Sequence, residues 1–333
     1  MNVEKVGWFD TEEWEKEYLK DKECSFEIEF FEESLNQETA EKIDETFDAV
    51  TVFVSSKVNQ KVLDKLSVEV IACRSTGFDH VDLKKADEEN VKVCNVPEYG
   101  ATTVAEHTFG LILTISRRIH EAVEKVEDGS FDHQGLKGFD LEGKTLGVIG
   151  TGSIGQEVIQ IADGFNMNIV ASDPYPDKEL EAQSPFMYVS QEDLFEISDI
   201  VTLHCPYTGD NKHMISEEEF QQMEDAVLIN TARGELVDTE ALIKALEEGN
   251  ISRAGVDVLE EECIIEEDIE MLGNLEEECD PKIIMEDHIL MERDDVIVTP
   301  HNAFNSEEAL ERIEDTTVQN LENGENFVNL DQV

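Results

Sequence analysis

Thr145-Leu-Gly-Val-Ile-Gly150-Thr151-Gly152-Ser153-Ile154-Gly155 is an apolar run that breaks into three closely spaced glycines and then resumes with helical spacing. It reads as a strand, a phosphate loop and a helix. Such a loop needs its first glycine for a tight turn, its second so that main chain can approach a pyrophosphate, and its third so that the helix packs on the strand. The unpaired N–H groups of the helix start then face the phosphates. Gly150, Gly152, Ser153, Ile154 and Gly155 are therefore candidate cofactor contacts. Glycines also end strands for structural reasons alone, so context decides.

Downstream, residues 168–173 read as a second buried strand ending in Asp173, eighteen residues after Gly155. At that place a carboxylate meets the adenosine ribose hydroxyls, which favours NAD and disfavours NADP, whose 2′-phosphate it repels. The alternative is an ordinary turn aspartate in Asp173-Pro174-Tyr175-Pro176. Loop, helix, strand and acid together point to a dinucleotide site instead.

Strand-like runs alternate with amphipathic helices on both sides of this unit. Before it come strands near 3–9, 25–31, 49–55, 68–73 and 91–96, with helices near 11–20, 37–45, 60–66 and 81–89 between them. After it come strands near 200–205, 226–231, 252–259 and 295–299, most of them separated by helices near 191–197, 216–223 and 238–248. Each series predicts a doubly wound parallel sheet with helices on both faces. Between the two lies 103–125, an apolar-rich helix expected to bridge domains or form a subunit interface. The stretch 260–293 reads as an acidic, irregular surface excursion. A last helix, 306–321, capped by Asn305 or Ser306, is expected to return to the first domain. The domains are then 1–99 with 302–333, and 100–301.

The 333 residues suit two domains, each with its own core, and the 40% hydrophobic fraction supports a globular chain. No run of eighteen apolar residues occurs and no signal core follows the N-terminus, so a soluble, cytoplasmic protein is expected. The six cysteines are scattered without C-x-x-C pairs, as buried reduced thiols would be, and neither a disulfide frame nor a metal site is expected. With 79 acidic against 25 basic side chains the net charge is −54. That surface repels nucleic acid and anionic membranes. Because salt screens self-repulsion, the composition points to a halophile's cytoplasm. An acidic disordered chain is excluded by the apolar periodicity.

Polar residues that a core would not choose cluster at the ends of the later strands: Asn230 to Glu235, Asp257, Glu262, and Thr299-Pro300-His301-Asn302. Open α/β sheets bind ligands at such carboxyl ends. Arg233 follows the apolar run Val227-Leu-Ile-Asn230, so its guanidinium emerges at that edge.

Together, Gly150/Gly152/Gly155 with Asp173, Leu203-His-Cys-Pro206, Asn230-Thr-Ala-Arg233-Gly234, Ala254-Gly-Val-Asp257-Val258 and Thr299-Pro-His301 resemble the NAD-dependent D-2-hydroxyacid dehydrogenase family. Trp8-Phe9-Asp10-Thr11, Arg74-Ser-Thr-Gly77-Phe-Asp79 and Val96-Pro-Glu-Tyr99 with Val104-Ala-Glu106-His107 look like its D-lactate dehydrogenase branch. The similarity covers essentially the whole chain. It implies a flavodoxin-like substrate domain, a Rossmann cofactor domain and a cleft between them.

By this resemblance Arg233 would hold the 2-oxo-acid carboxylate and His301 would be the general acid and base. Glu262 would pair with His301 and keep its proton available. Asp257 matches a position contacting the nicotinamide amide end. The N–H groups around Thr76 and Gly77 would bind the substrate carboxylate, with Tyr99 in the pocket. His204, Cys205, Pro206, Asn211, Thr231 and Ala232 match cofactor-lining positions, beside Arg233 and His301. The implied reaction is reversible hydride transfer between NADH and a 2-oxo acid, of D-lactate/pyruvate type, in a homodimer. Hydroxyisocaproate, glycerate or phosphoglycerate substrates, and a non-catalytic NAD-sensing protein, are the rivals. Against the family pattern, 260–293 lacks a proline-rich turn after Glu262, which bears on that residue's placement. His107 reads as a packing or hydrogen-bonding residue and Cys205 as a buried thiol.

Overall fold

Short apolar runs closed by polar turns build two parallel sheets in the computed structural model, which describes residues 3–43, 45–260 and 280–328. The first sheet holds β1 (Lys5–Trp8), β2 (Glu27–Phe30), β3 (Ala49–Val52), β4 (Val70–Cys73) and β5 (Lys92–Cys94), ordered β2-β1-β3-β4-β5 and parallel throughout. Every residue of β3 and β4 is buried, which is why these strands read as continuous rather than alternating apolar runs. One face packs Phe9, Leu35, Val52 and Ile71; the other packs Val6, Trp8, Val70 and, from the last helix Glu307–Asn323, Leu321.

The second sheet holds β6 (Thr145–Ile149), β7 (Asn168–Ser172), β8 (Met187–Tyr188), β9 (Ile200–Leu203), β10 (Ala226–Asn230), β11 (Ile251–Val256) and β12 (Val296–Val298). Its order is β12-β11-β10-β9-β6-β7-β8, again all parallel. The chain runs outward from β6 through β7 to β8, then returns to place β9 on the other side of β6. That reversal is the topological switch point where open sheets of this type bind ligands. The two-residue strand β8 escapes sequence reading because it is too short to show a period.

The chain divides into residues 1–99 with 306–333, and 100–305. The second crossing lies four residues beyond the expected 301/302, for a local reason. His301 N–H donates to the Asp257 carbonyl (2.8 Å), and the Asn302 and Ala303 N–H groups donate to its carboxylate at 2.9 and 2.8 Å, tying this turn to β11. Ser306 then caps the last helix by accepting from Ala309 N–H at 3.2 Å.

Two expectations need correction. The helix expected over 103–125 is two, Ala101–Arg117 and Ile119–Glu127, broken at Arg118 in the left-handed region with φ 52°. Of its apolar residues, Phe109, Leu111, Ile112 and Ile115 pack in the core beneath β6 with Val148, Val158 and Ile159. The excursion expected to be irregular contains a helix, Pro281–Met291, started by Asp280, whose side chain accepts from Lys282 N–H at 2.9 Å. Glu262, Cys263 and Cys279 lie outside the described residues. No described helix is long and apolar enough to cross a membrane.

Candidate active site

The glycine loop leaves β6 as its sequence requires. Gly150 has φ +94°, and a Cβ there would stand 2.7 Å from the His204 carbonyl and 2.8 Å from Cys205 N, so the loop passes directly under the end of β9 at the switch point. A Cβ at Gly155 would lie 2.1 Å from the Gly150 carbonyl; only glycine lets the helix Ser153–Gly164 come this close. Around Gly152 a Cβ would meet nothing within 4 Å, and Gly152 and Ser153 are exposed. Unpaired N–H groups beside open space fit an anionic phosphate group.

Asp173 ends β7 and closes the loop from the far side. Its Oδ2 accepts from Thr151 N–H (2.8 Å) and Thr151 Oγ1 (3.0 Å), and its Oδ1 from Tyr175 N–H (2.8 Å). Burial raises this carboxyl, but the N–H donors of Thr151 and Tyr175 and the Thr151 hydroxyl outweigh it and hold the group below its ordinary value. The expected turn role thus falls on a carboxylate held in its charged form. Thr151 Oγ1 also lies 2.8 Å from Tyr188 Oη, a contact across 37 positions that no local pattern announces.

At the end of β9, His204 is buried, with Nε2 2.9 Å from Thr202 Oγ1 and Nδ1 without a partner; burial lowers it to about 3, so it is neutral. Cys205 lies 3.6 Å from Met214 Sδ, and burial pushes its thiol up to about 11, which removes it as a nucleophile. Asn211 shapes the following loop, donating to the Pro206 carbonyl (2.8 Å) and accepting from Thr208 N–H (2.9 Å).

The ends of β10, β11 and β12 lie side by side. After β10, Asn230 accepts from Ala232 N–H (3.0 Å) and donates to the Arg233 carbonyl (2.8 Å), so the turn carrying Arg233 is tied to its own strand. Thr231 is buried with its hydroxyl 3.0 Å from that of Thr108. The Arg233 guanidinium, half-buried, donates to the Ala232 carbonyl at 2.7 Å. His301 follows β12 with φ 48°, its ring edge-on to Phe304 at 6.5 Å. Arg233 and His301 thus follow strands that flank β11 in the sheet.

Asp257, on the strand between them, is 1% exposed. Its carboxylate accepts from the Thr299 hydroxyl and from the N–H groups of Asn302 and Ala303, with His107 Nε2 3.3 Å from Oδ1. Burial raises this carboxyl, yet the bonds from His107, Thr299, Asn302 and Ala303 bring it below its usual value. The side chain expected at the nicotinamide amide thus braces the turn that presents His301. His107 Nε2 also lies 3.1 Å from Thr299 Oγ1, which brings the expected hydrogen-bonding histidine into that brace from 192 positions away. Only the Val-Ala-Glu-His motif hinted at it.

In the first unit Thr76, Gly77 and Tyr99 lie beyond β4 and β5. Ser75 Oγ donates to the Gly77 carbonyl (2.6 Å), and Thr76 Oγ1 to the Val96 carbonyl (2.9 Å). Among the described residues, the N–H groups of Thr76 and Gly77 have no protein acceptor. The Tyr99 carbonyl accepts from Arg312 Nε at 2.7 Å.

A parallel sheet with a glycine loop at its switch point, an acid at the next strand and an arginine and a histidine at the ends of strands flanking β11 defines a dinucleotide-dependent oxidoreductase. Residues 109–303 match the family model described as D-isomer specific 2-hydroxyacid dehydrogenase, NAD binding domain. The chain is 40% identical over 328 residues to the D-lactate dehydrogenase of Escherichia coli strain K12, covering 96% of both chains. The apo structure of the Escherichia coli D-lactate dehydrogenase matches with a TM-score of 0.83 at 37% identity, over 98% of this chain and 100% of that one. The Aquifex aeolicus D-lactate dehydrogenase, solved with NAD and lactic acid, matches with a TM-score of 0.80 at 32% identity, over 97% and 98% of the two chains. The chain belongs to the D-isomer specific 2-hydroxyacid dehydrogenase family, whose members are NAD-dependent oxidoreductases.

Proposed function

We propose that this enzyme reduces pyruvate, or a 2-oxo acid of similar size, to the D-2-hydroxy acid and runs the reverse reaction under the opposite mass action. The observation that carries this reading is the placement of Arg233 and His301 on either side of Asp257 at one sheet edge, in a chain so similar to D-lactate dehydrogenases. NADH, when bound, supplies the hydride. Gly150, Gly152, Ser153, Ile154 and Gly155 hold its pyrophosphate, and Asp173 sets the preference for NAD over NADP. Arg233 pairs with the substrate carboxylate and polarises the carbonyl. His301 gives its proton to the carbonyl oxygen as the carbon is reduced, and takes it back in reverse. Glu262 is the acidic partner that the family resemblance assigns to His301. The N–H groups of Thr76 and Gly77 bind the carboxylate, and Tyr99 lines the pocket. Among 333 residues only 25 are basic, which argues against a phosphorylated substrate.

We further place the protein in a salt-loaded cytoplasm, away from nucleic acid and membranes, as a homodimer. The exposed apolar face of the helix Ile119–Glu127 supports the last point. Its Ile119, Val123 and Val126 are 47%, 51% and 52% exposed, around a shallow depression of about 690 Å³.

The test is NADH oxidation over a panel of 2-oxo acids, repeated with Arg233→Ala and His301→Ala. Each variant loses at least about a hundredfold in kcat/KM, the size of a lost acid–base or charge-pairing group, while NADH still binds. Turnover of His301→Ala at the parent rate would overturn the mechanism. Failure on every 2-oxo acid would favour the NAD-sensing reading.

A further inference from the structure

One guanidinium in the first unit is shared by two buried carboxylates from the two ends of the chain. Arg74, just after β4, is 2% exposed; Glu15, from the helix Glu13–Lys20, is 4%; Glu314, from Glu307–Asn323, is 1%. Arg74 Nη1 donates to Glu15 Oε1 and, at 3.0 Å, to Glu314 Oε1. Its Nη2 donates to the carbonyls of Phe9 (2.6 Å) and Asp10 (2.8 Å), and the rings of Trp8 and Phe53 lie 5.8 and 5.5 Å from the guanidinium carbon. Glu314 Oε2 is buried without a partner.

The charges in this cluster do not balance. One cation faces two carboxylates, and the next titratable group, Asp10, is a third acid, engaged by Phe53 N–H and the hydroxyls of Ser55 and Ser56. The nearby cation Lys22 is spent on Asp315 together with Tyr18. Two ionised carboxylates on one nitrogen, out of water, repel strongly; a proton between them removes the excess charge and supplies the missing donor. Burial raises the Glu314 carboxyl to about 8, Arg74 opposing and Glu15 reinforcing the shift.

The cluster also anchors a turn. Arg74 N–H donates to the Val52 carbonyl at 2.8 Å, and the next residues are Ser75, Thr76 and Gly77. From the other side, Asn320 of Glu314's own helix donates to the Asn95 carbonyl (2.8 Å), and Asn95 donates to the Thr76 carbonyl (2.7 Å).

We propose that Glu15 and Glu314 share one proton across Arg74, and that this clamp, drawn from the last helix, is a positioning device for the Ser75–Gly77 turn that receives the substrate carboxylate. The second half rests on the functional reading above; the first does not.

Glu314→Gln mimics the protonated acid in shape and donor, and Glu314→Ala removes the clamp. Three readouts on the full-length enzyme test the proposal. Near neutral pH the parent shows the infrared carbonyl band of a protonated carboxyl, which fades on alkaline titration and is missing from Glu314→Gln. Because the folded carboxyl binds its proton more tightly than the unfolded one, folding stability is fully present below the ordinary carboxylate value, of about 4.5, and is lost as pH rises towards about 8. The Tm advantage of Glu314→Gln over the parent therefore grows through that window and then levels. The KM for the 2-oxo acid, taken as the ratio of parent to Glu314→Gln, rises from near one at about pH 7 to severalfold at about pH 9 with the kcat ratio unchanged; Glu314→Ala shows the raised KM, roughly tenfold, at both.

A band that persists in Glu314→Gln overturns the shared proton. A band that disappears while the KM ratio stays at one at every pH overturns the positioning role. If the parent turns over no 2-oxo acid, the functional reading and the turn's role fall together, and the band and Tm still decide the proton.

Discussion

A carboxylate already bonded on both oxygens to Thr151 and Tyr175 and held ionised is a poor neighbour for a second negative charge. Asp173→Ser should therefore raise the KM for NADH and narrow the NADH over NADPH preference by roughly tenfold or more, the scale of one removed charge repulsion. It should also cost about 1–2 kcal/mol of stability, because the N–H of buried Thr151 loses its acceptor. Steady-state kinetics with both cofactors and a melting curve check the two parts separately. An unchanged preference would show that the acid serves only its turn. Asp173 and the three glycines were legible because their meaning is local: a positive φ, a close approach, an acid at a strand end. The brace of Asp257, Thr299 and His107 was not. Its partners lie 42 and 192 positions apart and meet only because β11, β12 and the helix Ala101–Arg117 converge, so the bracing bonds of this acid cannot be read from its neighbours in sequence.

At the scale of elements, alternation of apolar runs gave both parallel sheets, while the break at Arg118 left no trace in the pattern. Its cause is tertiary. Phe139 N–H takes the Ser116 carbonyl at 2.9 Å, and a Cβ on the adjoining Gly138 would stand 2.0 Å from that same oxygen, so a crossing segment claims the helix end. Arg118 N–H caps the last turn through Ile115 and Thr114, its guanidinium pairs with Glu121, and Glu121 also accepts from Arg253 at 2.7 Å. The apolar stripe before the break is buried in its own unit, and the one after it is exposed. Since half of Val123 is already in solvent, Val123→Glu should leave the fold intact, with Tm within a few degrees. In a dimer built on this face it buries an unpaired charge, so sedimentation should show monomer where the parent sediments as dimer. Equal sedimentation of the two proteins would remove this helix from the interface.

For the whole molecule the dominant quantity is the net charge of −54, which no arrangement of 25 basic residues offsets. Many lysines are already committed, Lys5 to Glu29 and Glu45, Lys85 to Asp64 and Glu89, Lys282 to Glu240 and Glu286, so the remaining acids face one another across solvent. Their repulsion reaches as far as the ionic atmosphere allows: about 10 Å at 0.1 M salt and about 3 Å at 1 M. Folding concentrates this charge, so screening stabilises the folded state over the expanded one. Between about 0.1 M and about 2 M KCl we expect Tm to rise by roughly 10 °C, equivalent to about 3–5 kcal/mol for domains of this size. The shape of the curve identifies the cause. Screening saturates once the Debye length falls below the spacing of surface carboxylates, so most of the gain should appear below about 1 M. A gain that continues linearly to the highest salt would instead point to exclusion of the ions from the surface, as with sulfate or sucrose. A flat Tm would mean that the acidic surface does not set the stability of this fold, and the salt-loaded cytoplasm proposed for it would lose its physical basis.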